Sequence, residues 1–98
     1  MKATKLDHLH SEIETGPDEV VQVTLAGNEA NVLLLDDENY ALYSNGAGYT
    51  YRAGGHFRRS PAVLQPPGPG RWHVVVDLGG AAGHITASVT VRPAAAPS

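Results

Sequence analysis

The stretch RWHVVVDLGGAAGHITASVTV, residues 71–91, decides the fold class. Its first half alternates Trp72, Val74 and Val76 with Arg71, His73, Val75 and Asp77. Its second half alternates Ile85, Ala87, Val89 and Val91 with His84, Thr86, Ser88 and Thr90. A period of two sends successive side chains to opposite faces of a strand, so each half reads as a strand with one face on a core and the other toward water. Trp72 belongs to the core set by this alternation. Gly79, Gly80 and Gly83 share only their glycine content with a phosphate-cradling loop. A strand follows them, with no helix N-terminus to hold an anion, so the segment reads as a wide turn.

The same pattern extends upstream. In EVVQVTL, residues 19–25, Val21, Val23 and Leu25 share one face and Val20, Gln22 and Thr24 the other. ANVLLLD, residues 30–36, is apolar on both faces from Val32 to Leu35, as expected of a central strand. Leu6 to Glu14 is a more polar strand, with Leu9, Ser11 and Ile13 opposite His8, His10, Glu12 and Glu14, which suits a sheet edge. Thr15-Gly16-Pro17-Asp18 and Ala26-Gly27-Asn28-Glu29 read as tight turns, so residues 6–35 are expected to form a three-stranded meander.

Residues 36–59 lack sustained alternation and form a loop-rich face. Within them DDENYALY is expected to make one or two helical turns, capped by Asp36 or Asp37, with Tyr40 and Tyr43 on one side. YTYRA is expected to form a short strand, as is Ser60 to Leu64. QPPGPG, residues 65–70, is an exposed loop because its prolines lack backbone donors. The resulting expectation is all-β: a single antiparallel β-sandwich, jelly-roll-like, or a partly open barrel of seven or eight short strands over residues 1–92, with 93–98 a disordered tail.

Composition narrows the function classes. A chain of 98 residues supports one core and no large internal substrate cavity. Seven Lys and Arg against ten Asp and Glu give a net charge of −3, which argues against general nucleic-acid binding. Without cysteine there is no disulfide, thiolate metal site or cysteine nucleophile. The N-terminus lacks the apolar core of a secretory signal and no apolar run reaches membrane-spanning length, so a cytoplasmic protein without membrane contact is expected. Serines and histidines are present, but no nucleophile elbow, oxyanion loop or paired buried acid can be placed, so a non-enzyme without a cofactor is expected.

Two clusters remain as candidate sites. Tyr49, Tyr51, Arg52, His56, Arg58, Arg59, Arg71 and His73 would form a ligand site if residues 52–59 lay beside strand 71–77. The guanidiniums would then clamp a phosphate or carboxylate, and a tyrosine would stack on a base. The bland alternative makes Arg58 and Arg59 solubilising and pairs Arg71 with Asp77 or a neighbouring strand. His8 and His10, two apart on a strand, project on one face and could offer two metal ligands, needing a third from His56, His73, His84 or Glu12. Asp36, Asp37 and Glu38 lack the alternating ligands of a calcium loop and read as helix-capping residues.

The motifs VVQVTL, ANVLLLDDENYALYSNG, YTYRAGG, SPAVL and RWHVVVDLGGAAGHITASVTV resemble, in this order, the DUF1883 family of small bacterial domains. The likeness runs from Asp18 through Val91, about three quarters of the chain. It implies an all-β bacterial domain, found alone or beside modules such as TIR domains, with no assigned activity. GRWHVVV together with VTLAGNEANVLLL is also similar to the prepeptidase C-terminal type of β-sandwich. That likeness implies a jelly-roll-like sandwich with a binding or accessory role, though this chain departs from it by lacking a secretory context. The expected partner is a protein or a small anionic ligand. The competing expectation is self-association through the edge strand of residues 6–14.

Overall fold

The computed structural model describes residues 8–27, 29–79 and 83–94. In chain order these form β1 (Leu9–Thr15), β2 (Glu19–Gly27), β3 (Ala30–Leu35), α1 (Asp37–Ser44), β4 (Ala53–Phe57), β5 (Ala62–Leu64), β6 (Gly70–Asp77) and β7 (Ile85–Pro93). The strands make two sheets, of order β1-β6-β3-β4 and β5-β2-β7, and every neighbouring pair is antiparallel. The all-β sandwich expected from the alternation is the fold observed, and no barrel closes.

Alternation dictates what lies between the sheets. Val21 and Val23 of β2, with Ala62 and Leu64 of β5, meet Val32 and Leu34 of β3 and Trp72, Val74 and Val76 of β6. The indole nitrogen of Trp72 donates to the Gly68 carbonyl at 3.3 Å, which satisfies its polar end beside the core.

The expected meander does not form. β1 pairs with β6, β2 with β5 and β7, and β3 with β4 and β6. The turn before β2 therefore carries the chain from one sheet to the other. Asp18 has φ 59°, and the Gly16 amide donates to the Glu19 carboxylate at 2.6 Å. The physical reason is burial: β1 and β2 each have one apolar face, and in opposite sheets both turn that face toward the shared interior.

β3 and β6 are buried on both sides. Leu33, Leu35 and Val75 point away from the sandwich interior and are covered by Tyr40 and Tyr43 of α1. Asp36 caps this helix by accepting from the Asn39 amide at 2.8 Å, and Asp37 and Glu38 occupy its first turn, next to the positive end of the helix dipole. No residue of α1 is itself fully buried, so the helix acts as a cover fixed by its cap and its tyrosines.

Several boundaries differ from the sequence reading, β5 for one beginning at Ala62 and not at Ser60. Tyr49 and Tyr51 lie in irregular chain, and the strand begins only at Ala53, because Gly54 brings the backbone onto β3. A Cβ at Gly54, whose φ is +132°, would lie 2.1 Å from the Val32 carbonyl. At the other end β7 runs to Pro93 and the Ala94 amide donates to the Asp18 carbonyl at 2.8 Å, so regular structure enters the expected tail. Residues 1–7, 28, 80–82 and 95–98, which include part of the edge strand, one residue of the second expected tight turn, part of the glycine turn and most of that tail, lie outside the described residues.

Urea unfolding checks this placement. Leu34→Ala, at a side chain with no solvent exposure, should lose about 2–5 kcal/mol. Val63→Ala, at a residue 54% exposed, should stay within about 0.5 kcal/mol of the parent.

Candidate functional site: an imidazole and tyrosine cluster on the helix-covered face

Strand register assembles the cluster. Antiparallel pairing sets Glu12 opposite His73, His10 opposite Val75, Leu35 opposite His73 and Asn31 opposite Asp77. The outer face of the larger sheet therefore carries His10 and Glu12 from β1 beside Arg71, His73 and Asp77 from β6, with Asn31 on β3. α1 lies over this face and lowers Asp37, Tyr40 and Tyr43 onto it.

Asp37 is the anchor at the helix start. His73 Nε2 donates to its Oδ1 at 2.5 Å, and Arg71 donates through Nε at 3.2 Å and through a terminal nitrogen at 2.6 Å. Hydrogen bonds from Arg71 and then His73 hold the Asp37 carboxyl down at about 2. On its other side His73 Nδ1 lies 2.8 Å from His10 Nε2. Those rings are 14° from coplanar with centroids 5.0 Å apart, so the two nitrogens face each other edge to edge and share one proton. Asp37, His73 and His10 form a single line of hydrogen bonds.

Tyr40 roofs that line. Its ring is parallel to His10 at 4.0 Å and to His73 at 4.7 Å, and its hydroxyl is 3.2 Å from His8 Nε2. The His10 imidazole is pushed below its ordinary value, first by burial and then by the neighbouring His73 and His8. That shift opposes a further proton on the His10 ring.

A second network lies along the same face. The Tyr43 hydroxyl donates to Asp77, which also accepts from the Asn31 side chain at 2.9 Å and from the Gly79 amide at 2.8 Å. Burial first, and then Asp77, pushes the Tyr43 phenol well above its ordinary range. Asn31 Oδ1 in turn accepts from His56 Nδ1 at 3.0 Å, and His56 Nε2 is 3.2 Å from Glu29.

The eight expected ligand residues do not converge. β3 lies between β4 and β6, so residues 52–59 are not beside strand 71–77. Arg71 pairs with Asp37, not with Asp77, and is 4.0 Å from Glu12. Arg52 pairs with Asp36 at 3.4 Å and Arg58 with Glu29 at 3.4 Å, while Arg59 is exposed. Three of the four guanidiniums thus already face carboxylates. His8 and His10 do share a face, with centroids 6.3 Å apart. Among the described residues no group of three or more His, Asp or Glu is placed to hold a metal ion. From sequence Asp37 read as a helix-capping residue, Tyr40 and Tyr43 as one side of an expected helix and Asp77 as an alternative partner of Arg71, and none of the four stood among the expected ligand residues.

Compared with known proteins, residues 4–95 match the family model described as Domain of unknown function (DUF1883). The chain matches no curated protein and no solved structure. Among the described residues no helix is long and apolar enough to cross a membrane.

Stability should follow the titration of this cluster. Unfolded, His10 takes up its proton near 6.5, and folded it resists until lower pH. Its contribution is complete above that value and is lost as pH falls through the folded one. Asp37 adds a second loss between 3.8 and about 2. The urea midpoint of the parent should therefore drop on acidification below pH 6.5, and His10→Gln should flatten that limb. A parent midpoint unchanged down to about pH 5 would contradict the assignment.

Proposed function

The chain belongs to DUF1883, a domain of unknown function, and from its site we propose a non-catalytic binding module whose contact surface is the tyrosine-bearing segment next to α1. The observation that carries this reading is the exposure of Tyr49 and Tyr51, at 40% and 48%, on a segment held by the helix. Tyr49 packs edge-on against Tyr43 at 5.0 Å, and the Asn39 side chain accepts from the Thr50 amide at 3.0 Å. Burial raises the Tyr49 phenol above its ordinary value. Residues 43–51, YSNGAGYTY, combine tyrosine with serine, asparagine and glycine. That composition supplies large amphipathic contact area at low entropic cost, together with adaptable polar groups.

A protein surface suits this segment better than a small anion. Arg52, Arg58 and Arg71 would each have to leave a carboxylate to clamp a phosphate, whereas the two tyrosines are already presented. The hydrogen-bonded line of Asp37, His73 and His10 works in this reading as support, fixing α1 and with it the loop. The wider form of the proposal is a cytoplasmic sensor or adaptor acting beside a signalling effector.

The test is affinity capture with quantitative mass spectrometry, using the immobilised domain in extract of the cells that make it. Tyr49→Ser with Tyr51→Ser should retain the fold within about 1 kcal/mol and lose the proteins enriched by the parent at least about tenfold. Arg58→Ala with Arg59→Ala should keep them. Retention by the tyrosine variant, or loss through the arginine variant alone, would overturn the reading.

A further inference from the structure

The two sides of the sandwich are finished differently. On one side the edges are β4, five residues carrying Gly54 and Gly55 at positive φ, and β5, three residues that follow Pro61 and precede Pro66. Short strands broken by glycine and proline make poor templates for a further strand. On the other side the edges are β1, seven residues without glycine or proline, and β7, nine residues whose one proline is terminal. These two long edges lie close to each other across the sandwich.

The core is also incomplete on that side. Val21 and Val23 of β2 are fully buried, whereas Ile85, Ala87 and Val89, the inward residues of β7, are only partly so. Leu9 of β1, on the face that looks inward, is 41% exposed. A groove of about 220 Å³ opens there, lined by Leu9, His10 and Ser11 of β1, Val74 and Val76 of β6, and Ala87 and Val89 of β7.

We infer that this side is closed by a second copy of the chain, with β1 pairing antiparallel to β1 of its twin about a two-fold axis at Ser11. The cross-strand partners select both the occupant and the register, because only one centre keeps carboxylates from facing each other and apolar residues from facing polar ones. Centred on Ser11, the pairing sets His10 opposite Glu12, His8 opposite Glu14 and Leu9 opposite Ile13 on each side of the axis. Each pair flanking the axis then sets an imidazole against a carboxylate or makes an apolar contact, with Ser11 facing Ser11 at the centre. A centre at Glu12 would set that carboxylate against itself, and a centre at Ile13 would set Glu12 against Glu14. A centre at His10 would set two imidazoles together and leave Leu9 against Ser11. A dimer with the Ser11 centre joins the two four-stranded sheets into one of eight strands and covers Leu9. The inference does not rest on the tyrosine surface, which lies on the α1 side of the sheet face.

Sedimentation equilibrium and single-cysteine cross-linking test it together. The parent should show dimer mass in a concentration series, and Leu9→Lys, at an exposed position, should shift the dissociation constant upward at least about tenfold while leaving unchanged the urea midpoint measured at dilutions where both are monomers. Because the chain contains no cysteine, Ser11→Cys can form a disulfide only between copies. It should do so at least about tenfold faster than Val63→Cys, which lies on the short-edged sheet strand β5. A strict monomer, or equal cross-linking rates at the two positions, would overturn the inference. The cross-linking result stands even if Leu9→Lys fails to fold.

Discussion

The structure depends on the burial of β3 and β6 on both faces. A β-sandwich needs apolar residues on only one face of each sheet, yet Leu33, Leu35 and Val75 place apolar bulk on the outer face of the larger one. Left in water, those side chains would forfeit most of the roughly 1.5–3 kcal/mol that each gains on burial. The chain meets this constraint immediately after β3, where Asp36 caps a helix of eight residues that folds back over the exposed surface. Everything distinctive about the outer face follows from that cover, including the positions of Asp37, Tyr40 and Tyr43.

The polar groups under the cover explain why a short helix with no buried residue of its own stays in place. Eight residues are too few for an isolated helix to persist in water. The cap secures the helix start, and the Asp37 bonds to Arg71 and His73 and the Tyr43 bond to Asp77 tie its first and last turns to β6. Tyr40 adds ring contact with both imidazoles. Fixing the helix fixes the start of the segment that carries Tyr49 and Tyr51, so the rigidity of a sheet reaches a surface loop. The lowered basicity of His10 also makes this coupling sensitive to acid.

Much of the fold was legible because it is written with period two. The inward sets of β2, β6 and β7, the double-faced burial of β3, the edge position of β1 and the capped helix from Asp36 all follow from local pattern and all occur. Pairing was not legible. Nothing local distinguishes a turn that closes a hairpin from one that crosses between sheets, and the meander failed for that reason on both sides of β2, which lies in a different sheet from β1 and from β3. The site failed on the same point. His10 meets His73 only through the pairing of β1 with β6, 63 positions apart, and Arg52 and Arg71 read as anion ligands until the register gives each an aspartate.

The central claim is that the outer face is prebuilt by α1 docking onto a hydrogen-bonded pair of histidines. Nitrogen-15 NMR of the imidazoles at neutral pH tests it most directly. The account predicts a protonated His73 Nε2, one proton shared between His73 Nδ1 and His10 Nε2 with coupling across that bond, and cross-relaxation from both rings to Tyr40. Imidazoles that exchange freely between tautomers, with no contact to Tyr40, would contradict it.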